Sequence, residues 1–113
     1  MKTRITRDEL RQRLDAGTPT LIFEALPQKY YLEGHLPGAR QIDYENVRGQ
    51  APLLAPDRSA TVVVYCASAT CRNSDIAANQ FAALGYTDVR VYVEGKKDWT
   101  EAGFPVVRQD RAA

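Results

Sequence analysis

A strand that runs directly into a cysteine constrains this chain more than any other stretch. Val62, Val63, Val64 and Tyr65 form a continuous apolar run of strand length, the pattern of a strand buried on both faces of a mostly parallel sheet. A short polar loop follows. Asn73 or Ser74 is then placed to cap a helix whose Ala77, Ala78, Phe81 and Leu84 share one face and which Gly85 ends. Cys66 is therefore expected at the carboxyl end of a core strand. In open α/β sheets ligands bind at that edge, and the N–H groups of a loop entering a helix favour an anion there.

A chain of 113 residues supports one core, so a single domain over 1–113 is expected. Fifteen basic and fourteen acidic residues leave a formal charge of +1. With no basic field and no charge block, neither nucleic acid nor an anionic membrane is expected as a partner. The opening MKTRITRDELRQRL carries charges where a secretory apolar region would lie, and no apolar run approaches the roughly twenty residues of a membrane span. A cytoplasmic location is expected. Two cysteines are too few for a disulfide framework and no Cys/His quartet of zinc spacing exists, so no metal site or cofactor is expected.

Elsewhere the order is β-α repeated, which predicts an α/β sheet with helices on both faces. Thr6 and Glu9 have capping-box spacing, flanked by the staple pair Ile5 and Leu10, so a helix starts at Arg7 and ends at Gly17. Thr20 to Phe23 form a short buried strand with Glu24 at its carboxyl end, and Pro27 opens a short helix carrying Tyr30, Tyr31 and Leu32. The turn GHLPGA directs the chain into a short strand around Arg40 to Ile42. From Asp43 to Ser59, with Gly49, Pro52 and Pro56, at most one helical turn and a surface loop are expected. Val89 to Val93 make another strand, Glu94 and Gly95 its exit turn, and Lys96 to Ala102 a short helix with Trp99 inward.

Cys66 reads either as a small buried hydrophobe or as a nucleophile in an anion-binding loop, and the small residues after it (Ala67, Ser68, Ala69, Thr70) favour the nucleophile, its thiolate stabilised by loop amides and the helix N-terminus. Five residues separate Cys66 from Arg72, whose guanidinium either curls back onto a bound oxyanion or points to water. Cys71 reads as a loop filler, a resolving thiol or a disulfide partner. His35, the single histidine, suits backbone hydrogen bonding in its tight turn better than proton transfer. Trp99, Tyr92 and Phe104 read as core or pocket wall. Glu24 is either an exposed carboxylate or an acceptor that orients the loop.

GHLPGA, YCASATCRNSDIAA, LGYTDVRVY and EGKKDWTEAGFPV, in that order, resemble the signatures of single-domain rhodanese-like proteins over nearly the whole chain. The resemblance implies a rhodanese-like three-layer α/β fold with a mostly parallel five-stranded sheet. It also implies a sulfurtransferase, in which Cys66 takes sulfane sulfur as a persulfide and passes it to a thiophilic acceptor, with the loop residues Ala67 to Arg72 binding substrate. Ala67 stands where the commonest thiosulfate sulfurtransferases have arginine, the loop has no glycine, and Arg72 comes one residue late. Glu24 and Leu26 replace the usual Asp-x-Arg, and Glu94 the first glycine before the tryptophan helix. So few cations imply weak thiosulfate binding and, as donor, a protein or low-molecular-weight persulfide. The Cys-x5-Arg spacing also resembles rhodanese-related dual-specificity phosphatases and arsenate reductases, the alternative enzyme class. A non-catalytic binding module of the same fold is the third reading.

Overall fold

The computed structural model describes residues 2–108; the ends of the expected 1–113 domain lie outside the described residues. Five strands alternate with five helices: β1 (Lys2–Arg4), α1 (Arg7–Ala16), β2 (Leu21–Glu24), α2 (Gln28–Glu33), β3 (Arg40–Gln41), α3 (Val47–Leu54), β4 (Thr61–Tyr65), α4 (Asn73–Ala83), β5 (Asp88–Tyr92) and α5 (Gly95–Glu101). All strand pairs are parallel and the sheet order is β1-β5-β4-β2-β3. The cysteine strand, β4, is thus central.

The two-residue period of a strand divides β4 between two cores. Val62 and Val64 join Phe23, Val47, Ala51, Ala77 and Phe81 beneath α3 and α4. Val63 and Tyr65 join Ile22, Leu10, Leu36, Tyr92 and Trp99 on the opposite face. Each such fully buried large side chain is worth about 1.5–3 kcal/mol relative to exposure, so the two cores fix the plane of the sheet and hold the end of β4 in place. At the entry to α1, Thr6 Oγ1 accepts from Glu9 N–H at 3.1 Å while Glu9 Oε1 accepts from Thr6 N–H at 2.9 Å, and Gly17 closes the helix in the left-handed region at φ 68°. Both ends agree with the spacing.

Three elements depart from the sequence expectation. Lys2–Arg4 forms an edge strand on β5, extended by the Ile5 N–H donating to Val91 O at 3.0 Å. No element before α1 is expected from the sequence, and charge is what keeps an exposed sheet edge from pairing further. The stretch expected to be mostly irregular contains the eight-residue α3, with Pro52 inside it. Burial of Val47 and Ala51, four apart on one face, outweighs the lost Pro52 donor, and the buried Tyr86 hydroxyl donates to the carbonyls of Ala51 (3.2 Å) and Ala55. Finally, neither Asn73 nor Ser74 caps α4: Arg72 holds the cap position and no side chain caps it. Both polar side chains are engaged by the rest of the fold instead.

Candidate active site

The site begins where β4 ends. Cys66 is 1 % exposed, whereas Ala67, Ala69 and Thr70 are exposed and Ser68 and Cys71 half-buried. The loop turns back through the Cys71 N–H, which donates to Ser68 O at 3.1 Å, and a 3.1 Å hydroxyl contact between Ser68 and Thr70 braces the turn. Its first two carbonyls are held from the other side, Cys66 O by Lys96 N–H and Ala67 O by Lys97 N–H, both at 2.9 Å. In a trans peptide N–H and C=O point in opposite directions, so the amides of Ala67 and Ser68 are turned away from α5.

Gly95 permits that contact. Its φ of 72° is left-handed, and a Cβ there would lie 2.6 Å from Cys66 O. On the other flank, the Asn73 amide donates to Ala25 O at 3.0 Å, tying the start of α4 to the exit of β2. The Cys66 thiol meets the buried Ser74 hydroxyl at 3.4 Å.

Two effects oppose each other at the Cys66 sulfur. Burial pushes the thiol up from its ordinary value, and the neighbouring side chain of Cys71 pushes the same way; the Ser74 hydroxyl and N–H, in the first turn of α4, pull it down. Burial wins. The expected net stabilisation of a thiolate by the loop and helix amides is therefore corrected: the resting sulfur is held as a thiol. Its reactivity should climb with pH past the ordinary thiol range of about 8.5, and Ser74→Ala should shift the profile further toward alkali. Rates of alkylation by iodoacetamide from pH 6 to 11 test this; a midpoint below 8 would contradict it.

Beneath the loop lies a buried ionic network. Glu24 is fully buried and its Oε1 accepts from the Tyr65 hydroxyl at 2.7 Å and from Lys96 Nζ at 3.0 Å. Tyr65 in turn accepts from Leu36 N–H at 3.1 Å, and burial, followed by the Glu24 charge, pushes its phenol far above the usual value, so it stays a donor. Lys96 also donates to Gly34 O at 2.6 Å and Tyr30 O at 3.0 Å. Glu24 is thus neither an exposed carboxylate nor an acceptor of loop amides: it anchors the underside of the site through Lys96, whose own N–H holds Cys66 O.

The other singled-out residues divide clearly. His35 is buried in its turn, donates from Nδ1 to Tyr31 O at 2.9 Å, stacks on the Tyr31 ring at 3.9 Å, and exchanges backbone hydrogen bonds with Val107. Trp99 is fully buried, and its indole donates to Pro105 O at 2.8 Å. Arg72 is exposed, and among the described residues its side chain makes no hydrogen bond or ion pair. Beside Ala67 opens a groove of about 390 Å³ lined by the apolar Leu26, Tyr30 and Val106 and by the charged Glu33, Lys96, Lys97 and Arg108.

Sequence reasoning passed over Lys96, Ser74 and Gly95. Signals for two of them existed: Lys96 lies three residues before Trp99, and Ser74 continues the Ala77, Ala78, Phe81 face of α4, so helical phase turns both inward. For Gly95 nothing local distinguished a close approach from an ordinary turn.

A central parallel strand delivering a cysteine to a loop braced between two helix N-termini defines the class. Residues 6–102 match the Rhodanese-like domain family, and the chain belongs to it. It is 34% identical over 102 residues to the HTH-type transcriptional regulator Rv0324 of Mycobacterium tuberculosis, covering 90% of this chain but 43% of that protein. The chain therefore spans less than half the length of that relative. Among solved structures, a rhodanese with anions from E. coli is 28% identical, with a TM-score of 0.67 over 80% of this chain and 99% of that one. The fold also matches a thiosulfate sulfurtransferase from Pseudomonas aeruginosa at 24% identity and a TM-score of 0.84, over 96% of this chain and 21% of that one. Among the described residues no cluster of His, Cys, Asp or Glu could hold a metal, and no helix is long and apolar enough to cross a membrane.

Proposed function

We propose that this domain is a sulfurtransferase in which Cys66 accepts sulfane sulfur as a persulfide and passes it to a thiol. The observation that carries this reading over oxyanion chemistry is the position of Arg72. A phosphoryl or arsenate group needs a cradle for several oxygens, yet the one guanidinium of the loop is exposed at the start of α4 while the cysteine is buried beside a hydroxyl and a second thiol. A neutral, partly apolar pocket suits a sulfur atom better than a dianion. The adjoining groove, apolar along Leu26, Tyr30 and Val106 and carrying Lys97 and Arg108 against the single carboxylate of Glu33, suits a small persulfide bearing a carboxylate, with a thiol such as glutathione as acceptor.

Thiocyanate formation from glutathione persulfide and cyanide tests the assignment. Cys66→Ser should abolish it, and Arg72→Ala should keep it within about tenfold of wild type, a loss below roughly 1.4 kcal/mol. Retained turnover in Cys66→Ser would remove Cys66 from the reaction. Turnover of an aryl phosphate or arsenate that collapses in Arg72→Ala, with no sulfur transfer, would move the protein to the oxyanion class.

A second reading follows from the relative named a transcriptional regulator. In it the sulfur state of Cys66 is a signal to an attached or partner module rather than a step in a metabolic transfer. The two readings separate on turnover: a signalling domain takes up one equivalent of sulfur and turns over slowly with excess thiol.

A further inference from the structure

Cys71 is the one nucleophilic side chain in the loop that persulfide transfer leaves without a task. It is half-buried and its sulfur is free. It lies in the short loop that curls back through the Ser68–Cys71 turn and closes where the Cys66 sulfur meets the Ser74 hydroxyl at 3.4 Å, three residues beyond Cys71, so that the Cys71 side chain is one of the groups that act on the Cys66 thiol. No charged side chain lies between the two cysteines in sequence. We propose that Cys71 resolves the Cys66 persulfide, so that the loop releases hydrosulfide and closes as a Cys66–Cys71 disulfide. This rests on the reading of Cys66 as the persulfide-forming residue and adds to it an activity that ends sulfur transfer at the same site.

The step balances without a further oxidant. The Cys71 thiolate attacks the sulfur still bonded to the Cys66 Cβ and a new S–S bond forms between the two cysteines. The bond from Cys66 to the sulfane sulfur breaks and its electron pair leaves with the hydrosulfide, which carries the persulfide proton. The proton from the Cys71 thiol goes to solvent or to the departing hydrosulfide. The two cysteine sulfurs are oxidised to a disulfide, and the sulfane sulfur is reduced to sulfide.

Attack at the outer sulfur would instead move the sulfur to Cys71 and expel Cys66 as a thiolate. Exchange favours the leaving group that is the weaker base. Burial makes the Cys66 thiolate a costly product, whereas hydrosulfide is the anion of a stronger acid than an alkyl thiol and escapes to water. The disulfide closes a short ring within one loop, so little chain entropy opposes it. Any small thiol that reduces the disulfide reopens the site, and the ratio of acceptor to donor then sets whether sulfur is passed on or discharged as sulfide.

The test uses fully reduced wild type, Cys66→Ser, Cys71→Ser and Cys71→Ala, each given one equivalent of glutathione persulfide with no added thiol. Sulfide release and intact mass are followed together, and circular dichroism checks that each variant is folded. The wild type should release sulfide at least about tenfold faster than either Cys71 variant and finish with a mass lower by two hydrogens, which reduction restores. The Cys71 variants should hold a mass gain of one sulfur atom, and Cys66→Ser should show neither change. If the wild type keeps the added sulfur as long as the Cys71 variants do, while Cys66→Ser takes up none, the resolving role is wrong and the persulfide assignment stands. If no protein in the set gains sulfur or releases sulfide above the Cys66→Ser background, both are wrong.

Discussion

Lys96→Met is expected to lower the unfolding free energy by about 3–5 kcal/mol, the usual cost of removing one partner of a buried ion pair. Glu24 is fully buried and the Lys96 side chain is 18% exposed. Among the described residues the carboxylate without the ammonium keeps only the Tyr65 hydroxyl, and its Oε2 already has no hydrogen-bond partner. Because each kcal/mol moves Tm by roughly 4–8 °C in a domain near this size, the midpoint should fall by at least about 10 °C. The carbonyls of Gly34 and Tyr30 lose a donor at the same time, which loosens the turn before β3. The double variant Glu24→Gln/Lys96→Met should recover most of the loss, since no charge is then left buried and unpaired. Urea melts of the wild type, Lys96→Met, Glu24→Gln and the double variant decide the matter. A double variant as unstable as the sum of its singles would show that the stranded carboxylate is not the source of the cost.

Gly95→Ala should both destabilise the fold and disable the cysteine loop. A left-handed φ of 72° costs an L-residue roughly 1–2 kcal/mol. The added Cβ would also sit 2.6 Å from Cys66 O and 3.0 Å from Ala67 C, backbone atoms that cannot swing aside as a flexible side chain would. Relief requires the loop and α5 to separate, which stretches the hydrogen bonds from Lys96 N–H and Lys97 N–H, each worth about 0.5–1.5 kcal/mol. The expected total is about 3 kcal/mol, together with a loss of thiocyanate formation of more than about tenfold at temperatures where the variant is folded. Gly17→Ala is the matched control: its φ is 68°, but nothing lies within 4 Å of the added Cβ, so it should cost only about 1 kcal/mol. Equal losses at the two glycines would mean that close packing against the cysteine loop is not what Gly95 provides.

These two predictions concern contacts that no local pattern announces. Lys96 and Lys97 are adjacent, chemically alike and both border the groove, yet only Lys96 runs inward to Glu24. Helical phase relative to Trp99 points Lys96 toward the interior, but only the register of β2 against β4, Glu24 opposite Tyr65, supplies the buried carboxylate that makes a charged group tolerable there. The same holds for α4. Its apolar face was legible, whereas the engagement of Asn73 and Ser74 by Ala25 and Cys66 depended on a neighbouring strand and its loop.

By itself the sequence determined the features that repeat at short range. The apolar run of β4, the capping box of α1, the glycine that ends it and the face of α4 each follow from periodicities and caps within about a dozen residues, and all agree with the structure. It also placed Cys66 at the carboxyl end of the central strand, because a buried strand followed by a small-residue loop and a helix leaves that position no other location. Tertiary structure alone decided the rest: the edge strand β1, the helix around Pro52, the exposed course of Arg72 and the protonation of Cys66. The physical reason is common to all four. A strand edge, a helix-breaking residue, a cation and a thiol take their state from desolvation and from partners distant in sequence, and those balances exist only once the chain has folded.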